Sequence, residues 1–296
     1  MPNAVSPVAI VIDSTHYMPR ELVERHGIHT VSLYVRWGDP PRDDREADLP
    51  DFDGFYEHLR TARELPTTSQ PSVGDFLAVY EPLIEQGADI LSIHLSRGIS
   101  GTIQAAEQAR DQLAERGVAP ERIEVIDSAS VCAGHGLMAI AAHNALQDGA
   151  TLAEAAARAR QLREGLKILF AVDTLEFLRR GGRIGGAQAW IGSTLRIKPI
   201  LAIESEIVPV ERVRTWGRAF QRMVDHLSAL REDGNDRFFI QHIRAPDQAE
   251  KLAQHGEAIY GRPPEFVSEM GPVIGAHAGP GLIGVTALRH DVLGAV

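Results

Sequence analysis

Short apolar runs alternate with amphipathic stretches along the first half of the chain. The apolar runs are rich in β-branched residues and are bounded by polar ones, which is typical of buried parallel strands. The longer stretches have helical periodicity and end at glycine or polar residues. This alternation predicts an N-terminal three-layer α/β/α domain with a mainly parallel sheet. The predicted strands are residues 8–12, 28–37, a run that begins at Asp89, and 123–126, and the predicted helices include 20–26, 53–61, 102–116, 132–147 and 152–163.

A polar pair follows two of these predicted strands. Asp13-Ser14 comes after the first strand, and Asp127-Ser128 comes after the strand at 123–126. The carboxyl ends of parallel strands lie at one edge of a sheet, and open α/β proteins bind ligands at that edge. We therefore expect a ligand to contact the loops on this side of the sheet.

The loop between the strand at Asp89 and the next helix carries several hydroxyl groups. Ser96, Ser100 and Thr102 flank Gly101, where the backbone can approach a ligand closely. The first amides of the helix have no intrahelical partner and carry partial positive charge, so the loop suits an anion or a carboxylate. An ordinary strand-to-helix turn with Ser100 as the helix cap explains the same residues, and this alternative stays open.

The second half of the chain has a different pattern, a hairpin followed by alternating helices and strands. It predicts a second, smaller α/β domain, and we place the two domains at residues 1–165 and 166–296. The predicted elements are a strand at 169–173, a short helix at 175–180, a hairpin of strands 197–203 and 207–214, a helix at 217–231, a strand at 238–243, a helix at 247–260 and a strand at 265–268.

Several segments rich in small or turn-forming residues are predicted to be loops. Residues 38–50 form an irregular loop, and 66–72 (PTTSQPS) carry the hydroxyls of Thr67, Thr68 and Ser69. Residues 181–186 (GGRIGG) place Arg183 between two glycine pairs, and 271–281 place His277 in a loop of Gly and Pro. None of these loops is a Walker A motif, a nucleophile elbow or a metal-ligand cluster.

Composition limits the classes of function. A net charge of −10 argues against broad nucleic-acid binding, which needs a basic surface. The chain has one cysteine and no run of about 20 apolar residues, so we expect neither disulfides nor a membrane span. These features favour a cytoplasmic protein without stable membrane insertion.

A basic stretch contrasts with the acidic whole. Between Arg179 and Arg214 basic residues outnumber acidic ones. The stretch is either a solvated face or a docking surface for an acidic protein or for ATP phosphates. Its basic residues are Arg179, Arg180, Arg183, Arg196, Lys198, Arg212 and Arg214.

Seven motifs, in order and spread over nearly the whole chain, resemble those of the DegV family. They are VIDSTHYMP, TTSQPS, SGT before a helix containing Gln-Ala, EVIDS, FAVDTLEFLRRGGRIGG, LRIKPIL and GAHAGPG. Arg97 departs from the family pattern, which usually has a second serine there. Glu204-Ser205-Glu206 replaces the usual Asp-Gly turn, and residues 31–33 lack the usual proline.

The resemblance implies a bacterial fatty-acid-binding protein with two α/β domains and a ligand tunnel at the domain interface. By motif, the carboxylate contacts fall on Thr68, Ser100, the Gly101 amide and His277. The wider set of implied ligand-binding residues is Thr67, Thr68, Ser69, Ser96, Ser100, Gly101, Thr102, Arg183 and His277. Candidates for the tunnel wall are Phe76, Leu77, Phe170, Ile184, Ile191 and Leu195, although for each residue taken alone a place in the ordinary core is the better explanation.

The family also implies a partner. Its members present the bound acid to a separate ATP-dependent fatty acid kinase subunit, which makes the acyl phosphate used in phospholipid synthesis. The resemblance therefore predicts a protein without catalytic activity or cofactor of its own. Two alternatives remain open, an acyl hydrolase or acyltransferase with Ser100 as nucleophile and His277 as base, and a binder of a small phosphorylated metabolite. His277 as a purely structural histidine is a further alternative, and Arg183 has no fixed role.

Overall fold

The computed structural model describes residues 7–62, 64–191 and 197–296. The strands are β1 (Val8–Asp13), β2 (His29–Val31), β3 (Tyr34–Trp37), β4 (Arg42–Arg45), β5 (Thr67–Ser69), β6 (Asp89–His94), β7 (Ile123–Asp127), β8 (Leu169–Ala171), β9 (Lys198–Glu204), β10 (Glu206–Val213), β11 (Arg237–His242), β12 (Phe266–Glu269) and β13 (Ile283–Leu288). The α-helices are α1 (Arg20–Arg25), α2 (Asp53–Thr61), α3 (Val73–Glu85), α4 (Thr102–Glu115), α5 (Ala133–Gln147), α6 (Leu152–Gly165), α7 (Glu176–Arg180), α8 (Trp216–Glu232), α9 (Pro246–Tyr260), α10 (Pro272–Ala278) and α11 (His290–Leu293). Short 3₁₀ helices cover Ser14–His16, Glu46–Asp48, Pro120–Arg122 and Gly185–Trp190.

The chain divides into two compact units. The first comprises Met1–Leu33, Ser69–Glu164 and Val292–Val296, and the second comprises Tyr34–Thr68 and Gly165–Asp291. The break after Glu164 lies at the boundary predicted between residues 1–165 and 166–296. The segment 34–68, which the sequence pattern places in the N-terminal domain, instead groups with the second unit, because β3 and α2 pack against α10.

The first unit is built on a four-stranded parallel sheet in the order β2-β1-β6-β7. On one face, Val11 and Ile90 form a core with α3 and α4. On the other face, Ile10 and Ile12 are buried, and α5 packs against β1 and β6. Since successive strand residues point to opposite faces, both sides of the sheet are covered by helices. This confirms the predicted mainly parallel α/β architecture.

The second unit contains a six-stranded sheet in the order β10-β9-β8-β13-β11-β12. Its strands pair antiparallel except for β11 with β12. The predicted hairpin is present as β9 and β10, with a register shift between Pro209 and Glu211. Helices α8 and α9 cover the sheet through a core that includes Met223, Leu252 and Phe238.

Several predicted loops are regular elements. The single strand predicted at 28–37 divides at Ser32-Leu33 into β2 and β3, which belong to different sheets, and the loop at 38–50 contains β4. β5 within the PTTSQPS segment joins β3 and β4 in a three-stranded sheet. The Gly/Pro segment at 271–281 contains α10, because Pro272 fits the first helical turn. Strand β13 follows it and was not predicted.

Among the residues that the structure describes, no helix has both the length and the apolar character that crossing a bilayer requires.

Candidate functional site

In the second unit, Thr68 and His277 form a hydrogen-bonded pair. Thr68 Oγ1 lies 2.7 Å from His277 Nε2, although 209 residues separate them along the chain. Thr68 is the central residue of β5, and its neighbours Thr67 and Ser69 are exposed. Side chains alternate along a strand, so only the middle hydroxyl of this segment meets the imidazole. Of the three hydroxyls predicted in this segment, that of Thr68 contacts His277.

The other ring nitrogen of His277 packs against Gly181. A Cβ atom at Gly181 would lie 2.2 Å from His277 Nδ1, so only glycine fits there. His277 Nδ1 is buried and has no hydrogen-bond partner among the described residues. A buried acceptor without a partner is less unfavourable than a buried N–H without one. We therefore infer that the proton is on Nε2, which leaves the Thr68 hydroxyl able to donate elsewhere.

Arg183 lies close to this pair. Its Nη1 donates to the Gly181 carbonyl at 2.8 Å, which ties the arginine to the glycine that touches His277. Burial, and next the positive charge of Arg183, lower the pKa of His277 from its ordinary value to about 4. The imidazole is therefore neutral at pH 7. The three groups together offer hydrogen-bond donors and one fixed cation, which suits an anionic ligand.

In the first unit, Ser100 and Thr102 lie at the start of α4. Their hydroxyl oxygens are 2.9 Å apart, and the Thr102 amide donates to Ser100 Oγ at 3.3 Å. Ser100 thus accepts the amide of the first helical residue but is not the N-cap residue, so the alternative interpretation is wrong on this point. The residue in the N-cap position is Gly101, which offers no side-chain bond. The positive end of the α4 dipole is thus at Gly101.

Two glutamines that the sequence analysis did not select lie against Gly101. A Cβ atom there would meet Gln70 Oε1 at 2.1 Å and Gln104 Oε1 at 2.9 Å. A side chain at position 101 would have to displace the Gln70 amide from its place against the backbone. Gln70 belongs to the TTSQPS motif and Gln104 to the helix after SGT. Membership of these motifs is the sequence feature that could have identified both glutamines as site residues.

Ser96 has a structural position. It is completely buried, its Oγ accepts the Gly98 amide at 3.1 Å, and its own amide donates to the Ser130 carbonyl at 2.7 Å. Its role here is to close the loop after β6. Arg97, the departure from the family pattern, pairs with Glu107 at 2.7 Å, and its amide donates to Asp127.

A buried chain of hydrogen bonds lies where β1 and β6 end. His94 Nδ1 lies 3.3 Å from Asp13 Oδ2, and His94 Nε2 lies 2.6 Å from Ser92 Oγ. The three side chains have the order of a catalytic triad. All three are completely buried, and the Tyr80 hydroxyl donates to Ser92 Oγ at 2.6 Å. Because no substrate reaches a serine without exposed surface, this network is structural.

The charge of Asp13 is satisfied inside this network. Its carboxylate accepts the Leu95 amide at 2.8 Å and the Thr15 amide at 3.1 Å. Burial by itself raises the pKa of Asp13, but the His135 and His94 imidazoles and the Thr15 hydroxyl lower it overall, to well below its usual value. No described residue hydrogen-bonds His277 Nδ1. The hydrolase alternative thus lacks a carboxylate that orients its base.

The candidate tunnel residues divide by exposure. Phe76, Phe170 and Ile184 are buried, and Leu77 packs partly buried against the core of the first unit. Ile191 is 45% exposed, which does not fit a tunnel wall. Leu195 and the basic residue Arg196 lie outside the described residues.

The basic stretch is partly neutralised. Arg179 and Arg180 pair with Glu176, and Lys198 pairs with Asp173. Arg212 and Arg214 are exposed on and after β10, and the Arg212 guanidinium lies 5.4 Å from the centroid of the Trp190 ring. Within the described part of the chain, no group of His, Cys, Asp and Glu side chains has metal-binding geometry.

Comparison with known proteins assigns the chain to a family. The DegV family profile, described as an uncharacterised protein family, matches residues 7–290. A DegV domain-containing protein of Streptomyces coelicolor is 41% identical over 282 residues, which cover 94% of this chain and 97% of that protein. Protein DegV of Bacillus subtilis is 36% identical over 281 residues, which cover 94% of this chain and 98% of the relative. The chain belongs to the DegV family.

Solved structures show the same fold. A DegV family protein from Thermus thermophilus, described with fatty acid binding, superposes with a TM-score of 0.85 and 34% identity, covering 96% of this chain and 99% of that chain. DegV of Bacillus subtilis, described as a fatty acid binding protein, also gives 0.85 and 34%, covering 96% of this chain and 100% of its own. The resemblance inferred from seven motifs is confirmed.

Proposed function

We propose that this protein binds a long-chain fatty acid and that the Thr68 hydroxyl, supported by the His277 imidazole and Arg183, contacts its carboxylate. The Thr68–His277 pair carries the proposal, because it presents a hydroxyl donor beside a buried neutral imidazole and Arg183. Ser100 and the Gly101 amide at the start of α4, in the first unit, stay predicted carboxylate contacts. Structures 34% identical to this chain and described as fatty acid binding support the same ligand class.

The energetics favour a long chain over a short one. Each buried methylene contributes about 0.8 kcal/mol, so an acyl chain of about sixteen carbons provides most of the binding free energy. The polar groups then orient the carboxylate and reject uncharged lipids, since a buried donor left without an acceptor costs about 1–3 kcal/mol. A tunnel at the domain interface stays a prediction, as does the full set of ligand-binding residues.

Presentation of the bound acid to a kinase is part of the proposal. A cytoplasmic ATP-dependent kinase subunit would convert the carboxylate to an acyl phosphate for phospholipid synthesis, and this chain would act as carrier and not as catalyst. The exposed Arg212 and Arg214 support docking of an acidic partner, because opposite charges steer association.

A pair of ligands tests the binding proposal. Calorimetric titration with palmitate and with hexadecanol, which has the same chain length but no carboxylate, separates chain burial from headgroup recognition. We expect saturable binding of palmitate and weaker binding of the alcohol by roughly tenfold or more, the loss of one to two charge-assisted hydrogen bonds. Absence of palmitate binding to delipidated protein would refute the proposal, and equal affinity for both ligands would refute the headgroup assignment.

A further inference from the structure

Helix α10, which carries His277, is too short to fix its own orientation. It has seven residues, and isolated helices of that length are not stable in water. Its first residue is Pro272, which has no amide hydrogen, and its start has no side-chain cap from its own N-cap residue, Gly271. Contacts from elsewhere in the second unit must therefore hold it.

Glu46 holds the first turn of α10. Its Oε1 accepts the Val273 amide at 2.7 Å across 227 residues of sequence. Glu46 is 3% exposed, although a carboxylate is rarely buried without strong partners. Its negative charge lies at the positive end of the helix, so the helix dipole adds to the hydrogen bond.

Tyr56 holds the residues just before α10 and touches the helix itself. Its hydroxyl lies 2.6 Å from the Met270 carbonyl oxygen and 3.1 Å from the Gly271 carbonyl oxygen. A Cβ atom at Gly275 would lie 2.4 Å from the same hydroxyl, so the phenol ring packs directly on the helix backbone. Gly275 is two residues before His277.

Two neighbouring side chains contact the ring of Tyr56. Phe55 packs edge-on against its ring at 5.2 Å between centroids, and the Arg244 guanidinium lies 5.7 Å from the ring centroid. Arg244 also pairs with Asp53 of α2 at 2.5 Å, and its amide donates to Glu269 at the end of β12. These contacts connect the segment 34–68 to β12 and to α10, the helix that carries His277.

We propose that Glu46 and Tyr56 are positioning residues that set the placement of the His277 imidazole against Thr68. The inference rests on the proposed role of His277 in carboxylate binding. A hydrogen bond of 2.7 Å becomes ineffective beyond about 3.5 Å, so a shift of α10 by roughly 1 Å removes it. Neither residue has to touch the ligand.

Tyr56→Phe tests the proposal, because it removes only the hydroxyl. Tyr260→Phe is the matched control, since the Tyr260 hydroxyl is also buried and also donates to a backbone carbonyl, that of Leu227 at 3.0 Å, in the same unit but away from α10. Glu46→Leu removes the acceptor, whereas Glu46→Gln keeps an oxygen there and should preserve the placement.

Two measurements on each variant test separately the positioning of His277 by Glu46 and Tyr56 and the proposed role of His277 in carboxylate binding. The first is the NMR spectrum of the imidazole nitrogens in protein labelled with ¹⁵N-histidine. The chain has twelve histidines, and the signal of His277 is the one that disappears in His277→Gln. The second is palmitate affinity by calorimetry. We expect the His277 signal to move in Tyr56→Phe and Glu46→Leu but not in Tyr260→Phe or Glu46→Gln. We expect affinity to fall about three- to tenfold in the first two variants.

The outcomes are distinct. An unmoved His277 signal in both Tyr56→Phe and Glu46→Leu overturns the inference, whatever the affinity does. In a second outcome, the His277 signal moves in Tyr56→Phe and Glu46→Leu without loss of palmitate affinity, and His277→Gln also binds palmitate normally. This supports the positioning of His277 by Glu46 and Tyr56 and refutes the role of His277 in carboxylate binding. In a third outcome, His277→Gln binds palmitate weakly, and the His277 signal moves in Tyr56→Phe and Glu46→Leu while their palmitate affinity stays unchanged. This overturns the claim that the placement of His277 set by Glu46 and Tyr56 matters for binding. If Glu46→Leu does not fold, Tyr56→Phe and its control decide alone.

Discussion

The bond between Thr68 and His277 determines what each side chain offers a ligand. With the proton on Nε2, the imidazole donates to Thr68 Oγ1, and the threonine hydroxyl is free to donate to a carboxylate. The close approach of Gly181 to Nδ1 keeps the ring in this orientation. Thr68 is then the direct contact, and His277 supports it.

Removing a single hydroxyl should weaken fatty-acid binding. Thr68→Val and Ser100→Ala should each cost about 1–3 kcal/mol of binding free energy, because a buried carboxylate loses a hydrogen bond. Thr61→Val is the control, since Thr61 is an exposed threonine at the end of α2 in the second unit and is not a predicted ligand contact. Calorimetry with palmitate measures the effect. Unchanged affinity in both Thr68→Val and Ser100→Ala would remove the carboxylate assignment.

The pH dependence of binding should report on His277. Its pKa is about 4 in the free protein, lowered first by burial and then by Arg183, and a bound carboxylate raises it. By reciprocity, protonation of His277 tightens binding of the ionised lipid, and this gain is lost as pH rises through the pKa of the complex. Above that pKa the histidine is neutral in both states and contributes no slope.

We therefore expect the affinity of wild type to increase more than that of His277→Gln as pH falls from 7 to 5. The glutamine amide can donate a hydrogen bond but does not titrate, and titration of the lipid itself is common to both proteins. The comparison requires binding isotherms at several pH values. Parallel profiles would show that His277 acts only as a neutral donor.

Among the secondary-structure elements, sequence periodicity was most reliable where the apolar pattern repeats several times. α2, α5 and the β9–β10 hairpin lie within a residue or so of the prediction, because their apolar spacing extends over several turns or pairs. α10 was predicted as a loop, since seven residues rich in Gly and Pro show no clear period. Glycine at 279, with a φ of 75°, and Pro272 are helix boundary residues, and both were interpreted as loop residues.

The residues of the candidate site were predicted by type, but their partners were not. Thr68, Ser100, Arg183 and His277 were selected from the sequence, whereas Gln70 was not. Glu46 and Tyr56 were also missed, because their contacts span 227 and 214 residues and leave no local pattern. Such contacts follow from the fold and not from spacing.

The exposed arginines of the β9–β10 hairpin give a prediction for the kinase step. Arg212→Glu or Arg214→Glu should leave palmitate binding intact but slow phosphorylation by the cognate kinase at low salt, since rim charges act mainly on association. Arg20→Glu is the control, because Arg20 is exposed on α1 of the first unit. Equal phosphorylation rates at low and moderate salt would exclude this surface as the docking site.

At the scale of the whole molecule, buried histidines couple stability to pH. Burial, followed by the neighbouring His135, lowers the pKa of His16 from 6.5 to about 3, and burial lowers the pKa of His135 as well. His16 must stay unprotonated because its Nδ1 accepts the Met18 amide at 2.8 Å. The unfolded chain therefore binds more protons between about pH 3 and 6.5, and stability is lost as pH falls through that window.

Acidification should thus destabilise the protein before its carboxylates titrate. Each such histidine contributes up to about 1.4 kcal/mol per pH unit below 6.5. Urea unfolding at pH 7.5, 6.5 and 5.5 measures the slope, and His16→Asn, which retains an acceptor oxygen, should reduce it. A stability that is constant from pH 7.5 to 5.5 would show that these imidazoles are not buried in the neutral form.

The lipid carried by the purified protein is a direct test of fatty-acid binding. Mass spectrometry of the organic extract should find a long-chain fatty acid in amounts approaching the protein concentration. The double variant Thr68→Val with His277→Gln, purified in the same way, should carry clearly less. An extract without acyl chains, together with a phosphorylated metabolite in the aqueous fraction of the same preparation, would show that the protein binds a different class of ligand.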